Sequence, residues 1–186
     1  MIFPLFRRSA RPGTISTLYG AIVAQARLPA FYRDYNVPDT VDGRFELIVL
    51  HLALVLDRFA EEPGLRSLGQ GIFDLFCQDM DNNLREMGVG DLAVPKQMRR
   101  MGEAFYGRAD AYREAMAEAD DKALAEALAR DIYGGARAPQ AGSQTGPQAR
   151  RLAAYVRQTI VRLKALDEAA LAAGAIGFPQ PSSIRD

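Results

Sequence analysis

Cysteine and histidine are almost absent from this 186-residue chain, which contains one residue of each. The single cysteine, Cys77, cannot form a disulfide within the chain, a pattern typical of a reducing compartment. It falls on the apolar stripe of a predicted helix, so we expect a buried structural thiol. The single histidine, His51, has no second histidine with which to share a metal ion. We therefore expect a core or groove histidine, and we predict no metal site.

Long apolar runs are also missing. The longest, residues 47–56, is interrupted by His51 and is far shorter than the roughly 20 residues that a membrane-spanning helix needs. The opening sequence MIFPLFRRSAR does not have the pattern of a secretory signal, because its apolar part is short and precedes the arginines. These absences predict a cytoplasmic protein whose contact with a membrane is limited to the surface.

The chain has no excess of either charge, with 23 basic and 23 acidic side chains. This balance argues against a general nucleic-acid binder, and we predict no specific nucleic-acid partner. The charges are nevertheless segregated along the chain: residues 74–91 carry a net charge of −4, residues 95–113 carry +3 and residues 147–164 carry +5. Segregated patches favour oriented docking to a partner. Pairing of the patches with one another inside the fold is the alternative.

Helical periodicity dominates, and no segment shows the sustained alternation of a strand. We predict an all-α fold, a single-domain bundle of about six to seven helices with a long C-terminal helix. The predicted helices cover residues 16–27, 44–60, 71–87, a segment from 95 that weakens at Gly102 or Gly107, a segment near 121–132, and 147–173, with a loop at 61–70. Residues 1–14 form a flexible basic and apolar N-terminus, 15–173 the helical domain with a flexible loop at 134–146, and 174–186 a frayed tail.

The last predicted helix contains a seam of apolar residues at alternating steps of four and three. These residues include Leu152, Val156, Leu163 and Leu166. The spacing is typical of a coiled coil. The seam packs on the domain or accepts a partner helix.

The segment 73–101 combines an apolar stripe, an acidic face, a glycine-containing turn and a basic second helix. Phe76, Met80 and Met87 recur at helical spacing and are predicted to face inward. Gly88 suits the position just after a helix, where the backbone turns left-handed. The outer faces carry Asp74, Asp81 and Arg85 on the first helix, and Lys96, Arg99 and Arg100 on the second.

The same segment contains fragments of motifs that are associated with chemistry. Asp79-x-Asp81-x-Asn83 begins like a calcium loop, but position six is Leu84 and position twelve is Gly90, so the required glycine and glutamate are missing. Gly88-x-Gly90 lacks the third glycine and the preceding strand of a dinucleotide fold. Asp74 and Asp81 share one helix face and could serve acid–base chemistry, although a solvated helix surface is the stronger explanation because no pocket partner is recognisable. We predict no cofactor and no enzyme activity.

Three stretches together resemble one protein family. They are ARLPAFYRDYNVPDT at 26–40, VDGRFELIVLHLALVL at 41–56, and FDLFCQDMDNNLREMGVGDLAVPKQMRRMGEAFYGR at 73–108. The family is the ubiquinol–cytochrome c chaperone family, assembly factors of the respiratory cytochrome bc1 complex. The chain looks like an alphaproteobacterial member. The resemblance covers roughly residues 15–135.

The resemblance implies an all-helical, non-enzymatic chaperone that binds newly made cytochrome b. Mitochondrial relatives work with a small partner subunit and associate with the ribosome, so both are candidate partners. We expect client or partner contacts at Asp74, Asp79, Asp81, Arg85, Met87, Gly88, Gly90, Asp91, Lys96, Arg99 and Arg100. Adaptable methionines suit such a surface, although core filling is the alternative role for them.

The N-terminus offers a second contact surface. Phe3 and Phe6 with Arg7 and Arg8 could hold the protein to the anionic inner membrane, and an ordinary disordered terminus is the alternative. Two other functions remain open from the residues alone. One is a helical adaptor, unrelated to cytochrome b, that docks through its acidic and basic faces. The other is a hydrolase or lyase that uses Asp74 and Asp81.

Overall fold

The computed structural model describes residues 12–134 and 146–184. Eight α-helices follow one another in these residues: α1 Pro12–Ala26, α2 Pro29–Arg33, α3 Val41–Glu61, α4 Arg66–Glu86, α5 Val94–Ala117, α6 Lys122–Leu128, α7 Pro147–Ala165 and α8 Glu168–Ala172. A π-helical turn, Ala129–Tyr133, continues α6, and 3₁₀ turns lie at Pro63–Leu65 and Pro181–Ser183. The described residues contain no strand. The predicted all-α, single-domain bundle is confirmed.

Helix α3 forms the centre of the bundle. Leu47, Leu50 and Val55 are completely buried, and α1, α4, α5 and α7 all pack against the helix. A helix that is apolar nearly all round must be covered on all sides, and its neighbours here do so. Its start is fixed by Thr40, whose hydroxyl accepts a hydrogen bond from the Gly43 amide at 3.1 Å. This is the usual capping of a free helix N-terminus.

Two helices extend beyond their predicted ends. Helix α4 begins at Arg66 rather than 71, so the expected loop at 61–70 is mostly helical. Helix α5 runs through Gly102 and Gly107 without a break to Ala117. Phe105 and Tyr112 anchor it in the core at 3% and 1% exposure. Their burial outweighs the cost of about 1 kcal/mol for each helical glycine.

The C-terminal helix is shorter than predicted. Helix α7 ends at Ala165, and α8 starts after Asp167, whose carboxylate accepts from the Ala170 amide. Arg58 of α3 reaches this break and donates to the carbonyls of Leu163 at 3.3 Å and Leu166 at 3.2 Å. The seam residues of α7 are buried against the domain, where the helix contacts α3 and α6.

The tail is held against the core, so the expectation of fraying is wrong for residues 174–184. Gln25 donates to the Pro179 carbonyl at 2.9 Å, and the Tyr35 hydroxyl donates to the Pro181 carbonyl at 2.7 Å. Ile184 is 1% exposed. Residues 185–186 lie outside the described residues.

Two further predicted regions are only partly described. Residues 12–14 already belong to α1, so the predicted flexible N-terminus ends earlier than residue 14. Residues 1–11, with Phe3, Phe6, Arg7 and Arg8, lie outside the described residues, as do 135–145 of the predicted loop. The proposed division into terminus, domain and tail otherwise stays a prediction.

Candidate functional site

The turn between α4 and α5 has a defined backbone geometry. Gly88 adopts φ +82°, and its amide bonds to the Arg85 carbonyl at 2.9 Å, while the Val89 amide reaches back to the Leu84 carbonyl at 3.0 Å. This pair of bonds is the Schellman arrangement at a helix end. The predicted role of Gly88 is confirmed.

Arg85 ties the turn to α4. Its guanidinium binds Asp81 at 2.6 Å, one helical turn earlier, and also binds Asp91 beyond the turn. Asp91 remains largely exposed. Part of the acidic segment is therefore paired with its own arginine, which links the end of α4 to Asp91 beyond the turn.

Two large apolar side chains project from this turn. Met87 is 63% exposed and Leu92 is 100% exposed. The expectation that Met87 faces inward is wrong, because α4 ends at Glu86 and the side chain leaves the buried stripe. Sequence analysis missed Leu92, although an apolar residue inside a glycine- and aspartate-rich turn is itself a signal. We call Met87, Gly88, Gly90, Asp91 and Leu92 the α4–α5 tip.

The acidic residues of α4 do not act as one group. Asp74 accepts from Gln70 on the exposed face at 2.7 Å. Asp79 is turned toward α1, where the Tyr19 hydroxyl donates to it at 2.7 Å. Burial, with Asp79 as the second cause, raises the pKa of Tyr19. Asp79 thus takes part in the packing of α1 on α4, whereas Asp74 and Glu86 are exposed and Asp81 is partly exposed beside its partner Arg85.

The basic residues of α5 separate into two sets. Lys96, Arg99 and Arg100 are exposed at the start of the helix, and Arg99 lies 3.7 Å from Glu103. Farther along, Arg108 and Arg113 turn toward α3 and bind Glu46 at 2.6 Å and Asp57 at 2.7 Å. The acidic patch of α4 does not supply their partners. The first set is therefore the one that extends into solvent next to the turn.

The basic residues of α7 are partly structural as well. Arg157 binds Asp121 at 2.8 Å and donates to the backbone carbonyls of Met116 and Glu118. Lys164 pairs with Glu61 at 3.2 Å. These contacts join α7 to the end of α5 and to α3, so much of the +5 segment serves the fold.

His51 lies in an aromatic centre of the bundle and is completely buried. Its Nδ1 lies 2.7 Å from the Leu47 carbonyl and its Nε2 lies 2.8 Å from the Tyr155 hydroxyl. The first contact assigns the proton to Nδ1, so Nε2 accepts from Tyr155. Burial lowers the pKa of His51 to about 4. The prediction of a core histidine with satisfied hydrogen bonds is confirmed.

A second buried polar cluster was missed by sequence analysis. Glu46 is 9% exposed, and the Arg108 guanidinium lies 2.6 Å from its carboxylate. Burial raises the pKa of Glu46 to about 7, although Arg108 opposes the shift. Tyr112 and Asp131 lie beside the pair. Helical periodicity places Glu46 among apolar neighbours, but no local pattern indicates its partner 62 residues away.

No helix within residues 12–134 and 146–184 has the length and hydropathy to cross a bilayer. In the same residues, no three His, Cys, Asp or Glu side chains come together as metal ligands would. Asp81 and Asn83 lie with Asp79 in one regular helix, and the Asn83 amide is engaged by the Asp79 carbonyl at 2.8 Å.

The fold and the tip define an all-helical protein whose distinctive surface is an exposed apolar turn between an acidic helix and a basic one. Such a surface is suited to contact with another macromolecule. The chain matches the family model described as Ubiquinol-cytochrome C chaperone over residues 33–178. It therefore belongs to the ubiquinol–cytochrome c chaperone family, as its sequence predicts.

Named relatives support the same assignment. Ubiquinol-cytochrome-c reductase complex assembly factor 1 of Xenopus laevis is 27% identical over 116 residues, which cover 62% of this chain and 58% of that protein. The Drosophila melanogaster assembly factor 1 is 27% identical over 159 residues, covering 82% of this chain and 59% of that protein. The chain thus spans less than two thirds of the length of these curated relatives.

A solved structure resembles the whole chain. The Cbp3 homolog from Brucella abortus is 40% identical, with a TM-score of 0.83 and full coverage of both chains. Identity at this level across the complete length supports a shared fold that includes the tail and the α4–α5 tip.

Proposed function

We propose that this protein is a non-enzymatic assembly chaperone of the cytochrome bc1 complex that binds newly synthesised cytochrome b. The observation that carries the proposal is the family match across residues 33–178, together with relatives named as assembly factors of this complex. The protein would act on the cytoplasmic face of the inner membrane. There it would meet its client as the client leaves the ribosome, and a small partner subunit would be a further candidate for contact.

The α4–α5 tip is the proposed client surface. Met87 is unbranched and can adapt to varied apolar segments, and Leu92 adds a fully exposed apolar side chain beside it. Asp74 is exposed on α4, and Asp81 is partly exposed beside its partner Arg85. These carboxylates would meet basic loops that flank the apolar segments of a membrane protein.

Lys96, Arg99 and Arg100 provide the complementary side of the proposed surface. They lie on the exposed start of α5, immediately after the tip. A client that has an acidic segment next to an apolar one would be oriented by the two opposite charges. The proposed surface would therefore determine the orientation of the bound client as well as its affinity.

Site-specific photocrosslinking tests the proposal. A photoreactive residue at Leu92 should capture cytochrome b during its synthesis, whereas the same residue at Val161, an exposed apolar position on α7, should not. A strain that lacks the protein should lose assembled bc1 complex. Normal complex levels in that strain, with no cytochrome b crosslinked at Leu92, would contradict the proposal.

Substitution separates the tip from the fold. The double change Met87→Ser and Leu92→Ser should lower bc1 levels without lowering the melting temperature, because both side chains are exposed. Val161→Ser is the matched control and should leave bc1 levels unchanged. If the tip variant supports full assembly, the client binds elsewhere on the molecule. Capture of another protein at Leu92, with bc1 intact, would instead favour an adaptor unrelated to cytochrome b.

A further inference from the structure

A second concave surface lies where the end of α1, the short helix α2 and the start of α3 meet. It is an open cavity of about 520 Å³. We call it the arginine pocket and define it by its lining residues, Arg27, Pro29, Tyr32, Arg33, Asp39 and Arg44. Three guanidinium groups against one carboxylate give its lining a positive charge. None of these residues belongs to the α4–α5 tip.

Two of the arginines are held in position by neighbouring carboxylates. Arg44 donates from Nε to Asp39 at 2.7 Å. Arg33 donates from Nε and one terminal nitrogen to Asp34 at 2.6 and 2.8 Å. A guanidinium has five N–H donors, so each side chain keeps donors for a further acceptor. The carboxylates therefore pair with these side chains without using up their hydrogen-bonding capacity.

Arg27 has no such partner. Within the part of the chain that the structure describes, no carboxylate lies within ion-pair distance of it. Arg44 and Arg27 both act on Tyr32, where their positive charges oppose the burial that raises the pKa of its hydroxyl. Two cationic groups from different elements therefore face the same wall of the pocket.

The remaining walls are apolar and fixed. The Tyr32 hydroxyl donates to the Ala26 carbonyl at 3.3 Å, which holds the ring in place beside Pro29. Asp39 and Arg44 flank the capped N-terminus of the 21-residue helix α3, an end that favours negative charge. The volume falls within the range of about 300–1,000 Å³ that is usual for small-molecule sites.

We propose that the arginine pocket binds a phosphate group, carried by a soluble phosphate compound or by the headgroup of an anionic phospholipid. Guanidinium donors match the geometry of phosphate oxygens and form charge-assisted hydrogen bonds with them. The ring of Tyr32 and Pro29 would pack against the organic part of the ligand. This inference stands apart from the proposed client surface and does not depend on it.

A titration with inorganic phosphate and with glycerol 3-phosphate tests the soluble source. Backbone amide signals of residues 27–44 should shift saturably, and the shifts should weaken as salt is raised. Arg27→Gln and Arg44→Gln should each weaken binding by about tenfold, as expected for loss of a charge-assisted contact. Arg162→Gln is the matched control, because Arg162 is exposed on α7 and lies far from the arginine pocket. The neighbouring residue Leu163 accepts from Arg58 near the end of α3, whereas the pocket lies at the start of α3. An unchanged melting temperature shows that each variant is folded.

Vesicle flotation tests the lipid source. Vesicles that contain phosphatidylglycerol should carry the full-length protein, and phosphatidylcholine vesicles should not. Loss of flotation in Arg27→Gln and Arg44→Gln, but not in Arg162→Gln, identifies a phospholipid headgroup. Saturable soluble binding without flotation identifies a free phosphate compound. The inference is overturned if neither probe binds, or if all three substitutions weaken binding equally.

Discussion

The buried histidine makes the stability of this protein depend on pH in a defined way. His51 links three helices and the tail: it accepts from Tyr155 of α7, and Gln25 of α1 donates both to the Tyr155 hydroxyl at 3.0 Å and to the Pro179 carbonyl. Substituting His51→Gln keeps an acceptor near Tyr155 but removes the titrating ring. We predict that the substitution changes the pH profile of stability more than its value at neutral pH.

The size of the effect follows from the two protonation equilibria. Burial lowers the folded-state pKa of His51 from 6.5 to about 4. In the window between these values the unfolded chain binds more protons than the folded one, so stability falls as pH falls. From pH 7 to pH 5 the loss is about 2 kcal/mol, and it approaches about 3 kcal/mol at pH 4.

Glu46 contributes with the opposite sign. Its folded-state pKa is raised from 4.5 to about 7, so between these values the folded protein binds more protons than the unfolded chain. The contribution of Glu46 to stability is therefore present at pH 4.5 and is lost as pH rises through 7. In the wild type the contributions of His51 and Glu46 to stability change in opposite directions between about pH 4.5 and 6.5. A plot of wild-type stability against pH would therefore hide both contributions.

Urea unfolding of the wild type and His51→Gln at a series of pH values separates them. All other groups are shared, so the difference between the two free energies of unfolding isolates His51. That difference should shift by about 2 kcal/mol between pH 7 and pH 5, with the wild type losing more. Glu46→Gln should shift in the opposite direction. Parallel curves for wild type and His51→Gln would refute the argument, because they would mean that His51 titrates normally in the folded protein.

Three other substitutions test the fold. Gly88→Ala should lower the free energy of unfolding by about 1–2 kcal/mol, because Gly88 has φ +82°. Gly90→Ala places its Cβ in open space and should leave the free energy of unfolding in urea nearly unchanged. Equal effects of the two substitutions would contradict the left-handed turn at Gly88. Arg58→Met should cost about 2 kcal/mol, since it removes the donor to the Leu166 carbonyl and one of two donors to the Leu163 carbonyl, which also accepts from the Leu166 amide. Amide exchange at the end of α7 should rise, and Arg162→Met is the neutral control. Phe31 is completely buried, and its ring packs edge-on against those of His51 and Tyr155 at centroid distances of 5.3 and 5.0 Å. Phe31→Ala should therefore cost about 3–5 kcal/mol by calorimetry, and a loss below about 1 kcal/mol would mean that these rings repack.

Features specified by neighbouring residues were predictable. Gly88 follows a periodic apolar stripe and precedes a second glycine, so its left-handed turn could be inferred from the local sequence. The all-α class followed from helical spacing along most of the chain. The family resemblance supplied the candidate function, because its motif blocks are conspicuous in this sequence. The sequence did not reveal which acidic side chains pack inside the bundle and which face solvent, because Asp79 and Asp81 both belong to the same acidic segment.

Features that depend on distant residues were mispredicted or missed. The tail has the composition of a frayed end, yet Gln25 and Tyr35 bind its carbonyls from more than 140 residues away. The end of α7 has neither glycine nor proline, and its position coincides with the reach of Arg58 from α3. Glu46 was not singled out because its partner, Arg108, lies on another helix 62 residues away in the chain.

The sequence by itself determined the helical class, the turn at Gly88, the burial of His51 and the family, because each depends on periodicity, backbone freedom or a contiguous motif. The tertiary structure decided which charges remain outward. It turned Asp79 toward Tyr19 and Arg108 toward Glu46, and it left Met87 and Leu92 in water. It also brought Arg27 and Arg44 to one pocket. The physical reason is that a buried ion pair or a shared cavity requires helices to meet, and their meeting depends on packing of the whole core.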